Sequence, residues 1–573
     1  MKLSHALPTA VMVLLCACSA PKQAAAPDVP GKGAAPAGAS APEATATDGA
    51  APGENKKAEA PALAGGAPAP EARSVKPTSP TNEAGPDGDL PALYGLANRL
   101  HVDTRDSVLE SQLLFAEGEP VSERLIEETE RNLRDLRYIR EPDVKAVDCH
   151  DGLVDLEVSA REVWTTNPGA SFERSGGSNS GGIKLQELNL LGRGKQLTFE
   201  LATDADRSFY TVHWRDPGVR GSRWIHDFAF SDSNDGQGWR VELERPFYSL
   251  DTRWSFGTAL QQDESVEPVY RLGERVAGYG RQTEYGEVRY GWSDGLANGW
   301  TRRITTGFRR EHADFELAPD EAAPAVLPAD RLLDYPFLRF EGVQDDYETI
   351  QNRDQISRTE DQLFGIRYAL EVGLSSTGLG ADRDALLAHA EASRGWRIAG
   401  DRALFADLKL TTRLEGGSVA DGLLSGGLRY YHPTGEHGVF FAGLSAAAGH
   451  ALDADHELTI GGDTGLRGYP LRFQAGSGTA LMTLEQRYFT RYKLWQLASV
   501  GGAVFFDMGK AFGEPTLGPS EDYGLLKDVG FGLRLGSLSS ALGNVLHIDV
   551  AFPLDGPRSI DRVQFLVKTK RSF

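Results

Sequence analysis

The sequence is poor in cysteine, in long apolar runs and in basic charge, and each shortage excludes a class of protein. Its three cysteines are Cys16, Cys18 and Cys149, so a framework of several disulfide bridges is excluded. After the signal-like start, no apolar run is long enough to cross a bilayer as a helix. The formal net charge of −21 argues against a nucleic-acid partner, because neutralising phosphates requires a basic face.

Catalytic and metal-binding signatures are also missing. The chain has no Gly-x-Ser-x-Gly elbow and no His-Glu-x-x-His helix, and its twelve histidines are scattered without ligand spacing. His150 and Asp151 stand beside Gly152, where a turn explains them better than a metal site does. We therefore expect a protein that is not an enzyme, with no catalytic residue, no metal and no cofactor.

The amino terminus has the pattern of a secretory signal. Lys2 precedes an apolar core, Val11–Leu15, and the sequence Cys16-Ala17-Cys18-Ser19 follows. This end resembles the lipobox of bacterial lipoproteins, which implies a signal peptide over residues 1–18 and a lipid on Cys18. An ordinary signal peptide with incidental cysteines is the alternative. With lipidation, Cys149 is the one free thiol that the mature chain keeps.

Residues 19–90 are rich in alanine, proline and glycine and cannot build a core, so they are predicted to be a disordered linker. A flexible chain of this length reaches about 45 to 50 Å.

Residues 98–162 change character and follow the order strand, helix, helix, strand, strand. The second helix carries an apolar stripe at three- and four-residue spacing opposite a charged face. The predicted elements, in chain order, are a strand over Leu100–Thr104, a helix over Val108–Phe115, a helix with the stripe Leu125, Ile126, Thr129, Leu133 and Leu136, and strands over Val144–Asp148 and Leu153–Val158.

Residues 180–573 consist of short segments in which apolar and polar residues alternate. Ile548, Val550 and Phe552, for example, alternate with His547 and Asp549. This pattern is typical of membrane-spanning strands, with apolar residues toward lipid and charged ones toward the lumen. The length fits an all-β barrel of about sixteen antiparallel strands. Two stretches are predicted to be loops, Glu311–Asp334 and Asp382–Gly395.

One stretch of this part carries a lone arginine among glycines, and a second carries a lone aspartate among apolar residues. Arg467 stands between glycines in Gly461–Pro470, and Asp507 stands in the apolar Phe505–Gly509. An unpaired carboxylate in an apolar strand is costly, so each residue is the expected partner of the other.

This pairing resembles the Omp85 superfamily, also called the bacterial surface antigen or BamA/TamA family. Glu187–Gly194 is similar to the family's first barrel strand, and Arg215-Asp216-Pro217 and Arg245–Tyr248 are similar to its early hairpins. The resemblance covers Asn98–Phe573. It implies an outer-membrane barrel whose loop, carrying Arg467, Gly468 and Tyr469, folds into the lumen and is latched at Asp507 and Gly509.

The order of elements in residues 98–162 resembles a POTRA domain, which implies a periplasmic unit that binds incoming polypeptides along a sheet edge. The implied partners are unfolded outer-membrane or secreted polypeptides and outer-membrane lipid. The implied function is insertion or translocation of other proteins, as in BamA and TamA. A two-partner-secretion-type transporter, and a non-transporting pore or surface antigen, are the alternatives.

Overall fold

The computed structural model describes residues 71–78, 102–150, 153–351, 353, 359–398, 401–494, 498–537 and 545–570. The predicted signal peptide, Cys18 and most of the predicted linker lie outside the described residues. The described part consists of a small α+β unit, which ends near Val163, and a closed barrel that begins at Thr166.

The α+β unit contains two helices and a three-stranded sheet. The sheet has the order β1-β3-β2, with β1 parallel and β2 antiparallel to β3. The elements are β1 Glu71–Thr78, α1 Asp106–Glu110, α2 Glu123–Asp135, β2 Ile139–His150 and β3 Leu153–Glu162.

Helix α2 forms where the sequence predicts it. The Ser122 hydroxyl caps its start by accepting a hydrogen bond from the Leu125 N–H at 3.4 Å. The apolar stripe of α2 then faces the sheet, where Leu133 is fully buried against a core that includes Leu156 and Val158. This apolar core holds the unit together.

The barrel has twenty antiparallel strands, and two short hairpins branch from its connections. The strands from β4 onward, in chain order, are Thr166–Ser175, Ser178–Leu190, Lys195–Thr203, Ser208–Asp216, Ile225–Ser233, Gly236–Arg245, Trp254–Arg271, Glu274–Ala297, Trp300–Leu317, Arg331–Gln344, Tyr347–Gln351 (β14), Thr359–Leu363 (β15), Arg367–Ser375, Ala385–Ile398, Arg402–Glu415, Ser418–Pro433, Gly438–His450 (β20), Leu458–Ile460 (β21), Gln474–Gly476 (β22), Gly478–Leu494, Ala498–Phe512, Leu526–Ser537, Val545–Pro553 and Gln564–Lys570 (β27). The pairs β14–β15 and β21–β22 are the two branching hairpins.

The alternation in the sequence becomes the two faces of the barrel wall. Phe199 and Leu201 lie on the outer face, each about half exposed, whereas His547 and Asp549 are almost completely buried on the lumen side. A closed barrel with an apolar outer face suits a bilayer, because its strands pair with one another around the ring. Among the described residues, no helix combines the length and the apolar composition needed to cross a membrane.

The α+β unit contacts one rim of the barrel, which we call the lower rim. The Arg105 N–H donates to the Gly192 carbonyl at 2.9 Å, and Arg124 of α2 forms an ion pair with Asp251. Strand β4 runs upward from this rim. Consequently β27, with an even number of strands between, runs back down to it, and the connections at the opposite upper rim include the long segment 451–477.

The predicted fold class is wrong in two respects. The closed barrel has twenty strands rather than sixteen. In the POTRA-like assignment of residues 98–162, the predicted first strand is not formed over residues 102–104, and the sheet takes β1 from the predicted linker instead. The described elements still run strand, helix, helix, strand, strand, but the first strand lies outside residues 98–162, so the predicted bounds are wrong and the POTRA-like assignment of those residues is not supported.

The predicted count, taken from the length of residues 180–573, is too low because it allows for longer loops than the barrel has and for a later first strand. Strand β4 begins the barrel before residue 180 although it contains Pro168, a residue that sheets accept at an edge. Most of the predicted loop Asp382–Gly395 belongs to the strand Ala385–Ile398. Of the predicted loop Glu311–Asp334, residues 318–330 connect two strands and the rest belong to those strands.

Candidate functional site: the lumen loop and the barrel seam

The upper-rim segment 451–477 is fastened to the barrel by ion pairs before and after it enters the lumen. Arginine–carboxylate pairs of this kind can bond through two parallel hydrogen bonds, which restricts the geometry. The pairs are Asp453 with Arg413 at 3.0 Å, Asp455 with Arg331 at 2.8 Å, Glu457 with Arg271 at 2.8 Å and Arg472 with Asp206 at 2.7 Å. We call residues 461–472, which run from the end of β21 to the last of these attachments, the lumen loop.

The structure places the guanidinium of Arg467 against Asp507. Nε lies 2.6 Å from Asp507 Oδ2, and Nη2 donates to Oδ1 at 2.9 Å. The third nitrogen, Nη1, donates to Glu485 Oε2 at 2.8 Å. The guanidinium carbon lies 3.3 Å from the centroid of the Phe505 ring, which adds a cation–π contact. With Asp507 fully buried, this cluster is a desolvated, charge-assisted attachment for the loop.

The two residues after Arg467 attach the loop to a neighbouring strand. The Gly468 N–H donates to Asp528 Oδ2 at 3.0 Å. The Tyr469 hydroxyl donates to the Lys527 carbonyl at 2.8 Å and accepts from the Lys527 N–H at 3.1 Å. The buried side chain therefore bonds both backbone groups of Lys527, as a residue of a neighbouring strand would. Arg-Gly-Tyr therefore contacts the wall through three consecutive residues.

Gly509, on the wall strand Ala498–Phe512, makes room for β21, the short strand that leads into the lumen loop. A Cβ at this position would lie 2.6 Å from Ile460 Cδ1 and 2.9 Å from the Ala480 carbonyl. The absence of a side chain therefore lets β21 rest on the barrel wall.

Replacing Gly468 with alanine is expected to loosen the lumen loop. The new Cβ would lie 2.6 Å from Asp528 Cβ, so the backbone must shift and the hydrogen bond to Asp528 weakens. Overpacking of this kind costs about 1–3 kcal/mol, and trypsin cleavage within the loop should accelerate roughly tenfold. Gly286→Ala is the control, since its Cβ would meet nothing closer than 3.6 Å. Equal cleavage in both variants would contradict the tight fit at Gly468.

The sequence analysis does not predict several residues that bond the Arg467 cluster, among them Glu485, Asp549 and Arg534. Glu485 accepts from Arg467, and Asp549 lies 3.7 Å from Arg467 Nη1 while it also pairs with Arg534. A signal was present in the sequence, because Thr483, Glu485 and Arg487 occupy alternate positions of one strand and so share its lumen face.

The backbone pairing between β4 and β27 is much shorter than that of the other barrel junctions. In the described residues, one couple is paired there, Val567 with Arg174. Every other junction of the barrel has at least seven paired couples. We call the β4–β27 junction the seam.

The lumen loop bridges the two sides of the seam. The Gly462 carbonyl accepts from the Ser175 hydroxyl of β4 at 2.8 Å and from the Lys568 ammonium of β27 at 3.2 Å. The Leu471 N–H donates to the Gly176 carbonyl just beyond β4 at 3.1 Å. The loop thus supplies hydrogen bonds at the junction where the strands supply few.

A scan of protein-family models gives no match, and a comparison with curated proteins gives none either. A comparison with solved structures finds chains of BamA and CdiB similar to this chain at low identity. BamA from Haemophilus ducreyi lacking POTRA domains 1–3 is 13% identical with a TM-score of 0.39, covering 87% of this chain and 84% of that one. CdiB from Escherichia coli is 12% identical with a TM-score of 0.45, covering 88% and 76%. CdiB from Acinetobacter baumannii is 11% identical with a TM-score of 0.40, covering 87% and 73%. Each of these TM-scores is below 0.5.

A cavity of about 750 Å³ adjoins the lumen loop. Its wall carries both signs of charge and two aromatic rings, and the lining includes Tyr431, Phe441, Arg467, Glu485, Arg487 and Lys570. Such a surface can hydrogen-bond water and polypeptide backbone alike.

Asp421, Asp453 and His456 form the one group of side chains in the described residues with spacing suited to a metal ion. The His456 ring lies 2.7 Å from Asp421, and this hydrogen bond raises the pKa of His456. Asp453 pairs with Arg413 and Arg331. The arginines already neutralise the carboxylate, so the group is explained as an ion-pair network of the upper rim.

Proposed function

We propose that this chain is a bacterial outer-membrane barrel that inserts or translocates other polypeptides, with the seam as its lateral opening. The observation that carries the proposal is the pairing between β4 and β27, which comprises one couple in the residues that the structure describes. Strand edges with few mutual hydrogen bonds separate at low cost, and each exposed edge is then a template for pairing with another chain. The seam supplies such a pair of edges in an otherwise continuous barrel.

The location is supported by the two faces of the wall. The outer face carries apolar side chains such as Leu338 and Phe531, and lumen positions carry ion pairs such as Arg309 with Glu371 at 2.6 Å. Closed barrels with this distribution reside in outer membranes. In this setting lipid covers the outer face, and the α+β unit, which lies next to the lower rim, faces the periplasm.

The lumen loop acts in this proposal as the latch of the seam. Its Arg467 cluster holds it in the lumen, and Gly462 holds both seam strands. Release of the loop removes hydrogen bonds from both edges at once. The buried cluster therefore keeps the resting barrel closed, and its rupture permits the strands to part.

The α+β unit is proposed to capture the incoming polypeptide. In the sheet order β1-β3-β2, strand β2 pairs with β3 on one side, and no described strand pairs with its other side. An extended, unfolded polypeptide can add to such an edge through backbone hydrogen bonds, without a requirement for one sequence.

The proposal is tested by reconstituting the full chain in liposomes and adding a urea-denatured small outer-membrane barrel protein as the probe. The probe is expected to acquire its heat-modifiable folded form faster than in empty liposomes. Equal folding rates in the two preparations, combined with a steady conductance for small ions, would overturn the proposal in favour of a passive pore.

A further inference from the structure

The connection from Gln344 to Arg367 at the lower rim folds into the hairpin β14–β15. Its strands pair in register from Tyr347 with Leu363 to Gln351 with Thr359. The base of the hairpin is fixed to the wall by Arg397, which bonds Asp346 at 2.9 Å and Glu348 at 2.8 Å. The hairpin is thus a folded element attached to the rim.

One side of the hairpin contacts the α+β unit. Arg134 of α2 donates to both carboxylate oxygens of Asp361, at 2.7 and 2.8 Å. The guanidinium of Arg131, also on α2, stacks 3.8 Å from the centre of the Tyr347 ring. A bidentate pair and a cation–π contact on one helix face make the hairpin a docking point for the unit.

The hairpin also reaches the lumen wall through Arg353. This residue is only 6% exposed, and its guanidinium lies 5.5 to 5.8 Å from the ring centres of Phe364, Phe405 and Tyr431. Its backbone carbonyl accepts a hydrogen bond from Arg487 Nη1 at 3.2 Å. Arg487 therefore links the hairpin to the wall of the lumen cavity.

The Arg487 side chain connects the hairpin to the cluster that holds the lumen loop. Its Nε donates to Glu485 Oε1 at 3.0 Å, while the other oxygen of Glu485 accepts from Arg467 Nη1 at 2.8 Å. Both arginines share this one carboxylate. A continuous series of contacts thus runs from α2 through Asp361, the hairpin and Arg487 to the lumen loop.

We propose that the β14–β15 hairpin couples the position of the α+β unit to the attachment of the lumen loop. In this proposal the hairpin has two arrangements: docked on α2, as in the structure, and undocked from it. When the hairpin is docked, the backbone carbonyl of Arg353 accepts a hydrogen bond from one nitrogen of Arg487. When the unit moves and the hairpin undocks, Arg487 turns further toward Glu485 and competes with Arg467 for it. This inference rests on the latch role proposed for the loop.

The test is hydrogen exchange of the full-length protein in lipid nanodiscs. Asp361→Asn removes the charge that Arg134 holds, and the loop amides in segment 458–476 should exchange about five-fold faster or more. Asp251→Asn is the matched control. It breaks the ion pair between Arg124 of the same helix and a different rim turn, and loop exchange should stay at the wild-type rate. Arg353→Ala keeps the backbone carbonyl that Arg487 bonds but removes the side chain that holds this carbonyl in place among Phe364, Phe405 and Tyr431, so loop exchange should rise as in Asp361→Asn.

Faster exchange of the hairpin amides with unchanged loop exchange in both hairpin variants would overturn the coupling. Equal acceleration in Asp251→Asn would overturn it as well, because the effect would then follow from loosening the unit in general. Arg467→Ala, measured in the same series, should accelerate loop exchange by itself. If it does not, the latch role fails, and that result is distinguishable from a failure of the coupling alone.

Discussion

Replacing Arg467 with alanine is expected to open the barrel to ions while its strands remain paired. The change leaves Asp507 and Glu485 buried without the guanidinium that both now bond. Removing one partner of a buried ion pair costs about 3–5 kcal/mol, so the undocked loop should become more populated on the order of a hundred-fold or more. Because Arg467 makes none of the backbone ladder of the wall, the cost falls on loop docking.

The measurement is planar-bilayer conductance of the purified protein, with heat-modifiable electrophoretic mobility as the check that the barrel is folded. Low, flickering conductance of the wild type should rise in Arg467→Ala. Arg467→Lys should fall between the two, since an ammonium cannot reproduce the fork that bonds Asp507 and Glu485 together. Arg339→Ala is the control, because Arg339 pairs with Glu391 at 2.7 Å on wall strands away from the loop.

A double-mutant comparison separates the loop cluster from a general effect of charge. If Arg467 and Asp507 act as one unit, Asp507→Asn should add little in the Arg467→Ala background. Conductance of Arg467→Ala equal to that of the wild type would contradict the latch.

Locking the seam with a disulfide is expected to abolish probe insertion. Arg174→Cys and Val567→Cys, made in a Cys149→Ser background, place two thiols at the paired couple that the structure describes at this junction. Directly opposite residues of antiparallel strands lie about 4.5–5.5 Å apart at Cα, which a disulfide spans without strain. The oxidised protein should lose its acceleration of probe folding, and reduction should restore it.

The control for the seam lock joins strands that are already well paired. Phe531→Cys and Val550→Cys lie opposite each other in the ladder between strands Leu526–Ser537 and Val545–Pro553. A bond there should leave probe insertion unchanged. Full activity of the locked seam would remove the lateral opening from the proposal and favour passage of the polypeptide through the lumen, as in a two-partner-secretion-type transporter.

Local pattern was enough to predict much of the α+β unit and of the wall. Helix α2 needs only its Ser122 cap and its apolar stripe, and both are features of a few neighbouring residues. The pairing of Arg467 with Asp507 was predicted because a lone charge in an apolar strand requires a partner. Their role as a latch stays a prediction, and so does the lipid on Cys18, which lies outside the described residues.

Alternation of apolar and polar residues is enough to predict the barrel class, and a lone arginine among glycines with a lone aspartate in an apolar strand is enough to predict the Arg467 loop. Both signals lie in a few neighbouring residues, so they can be recognised before the fold is known. The twenty strands, the short seam and the connection from Asp361 through Arg353 to Glu485 emerge from the folded chain and not from local pattern. Ring closure and register depend on every strand at once, and contacts between residues more than a hundred positions apart leave no periodic trace in the chain.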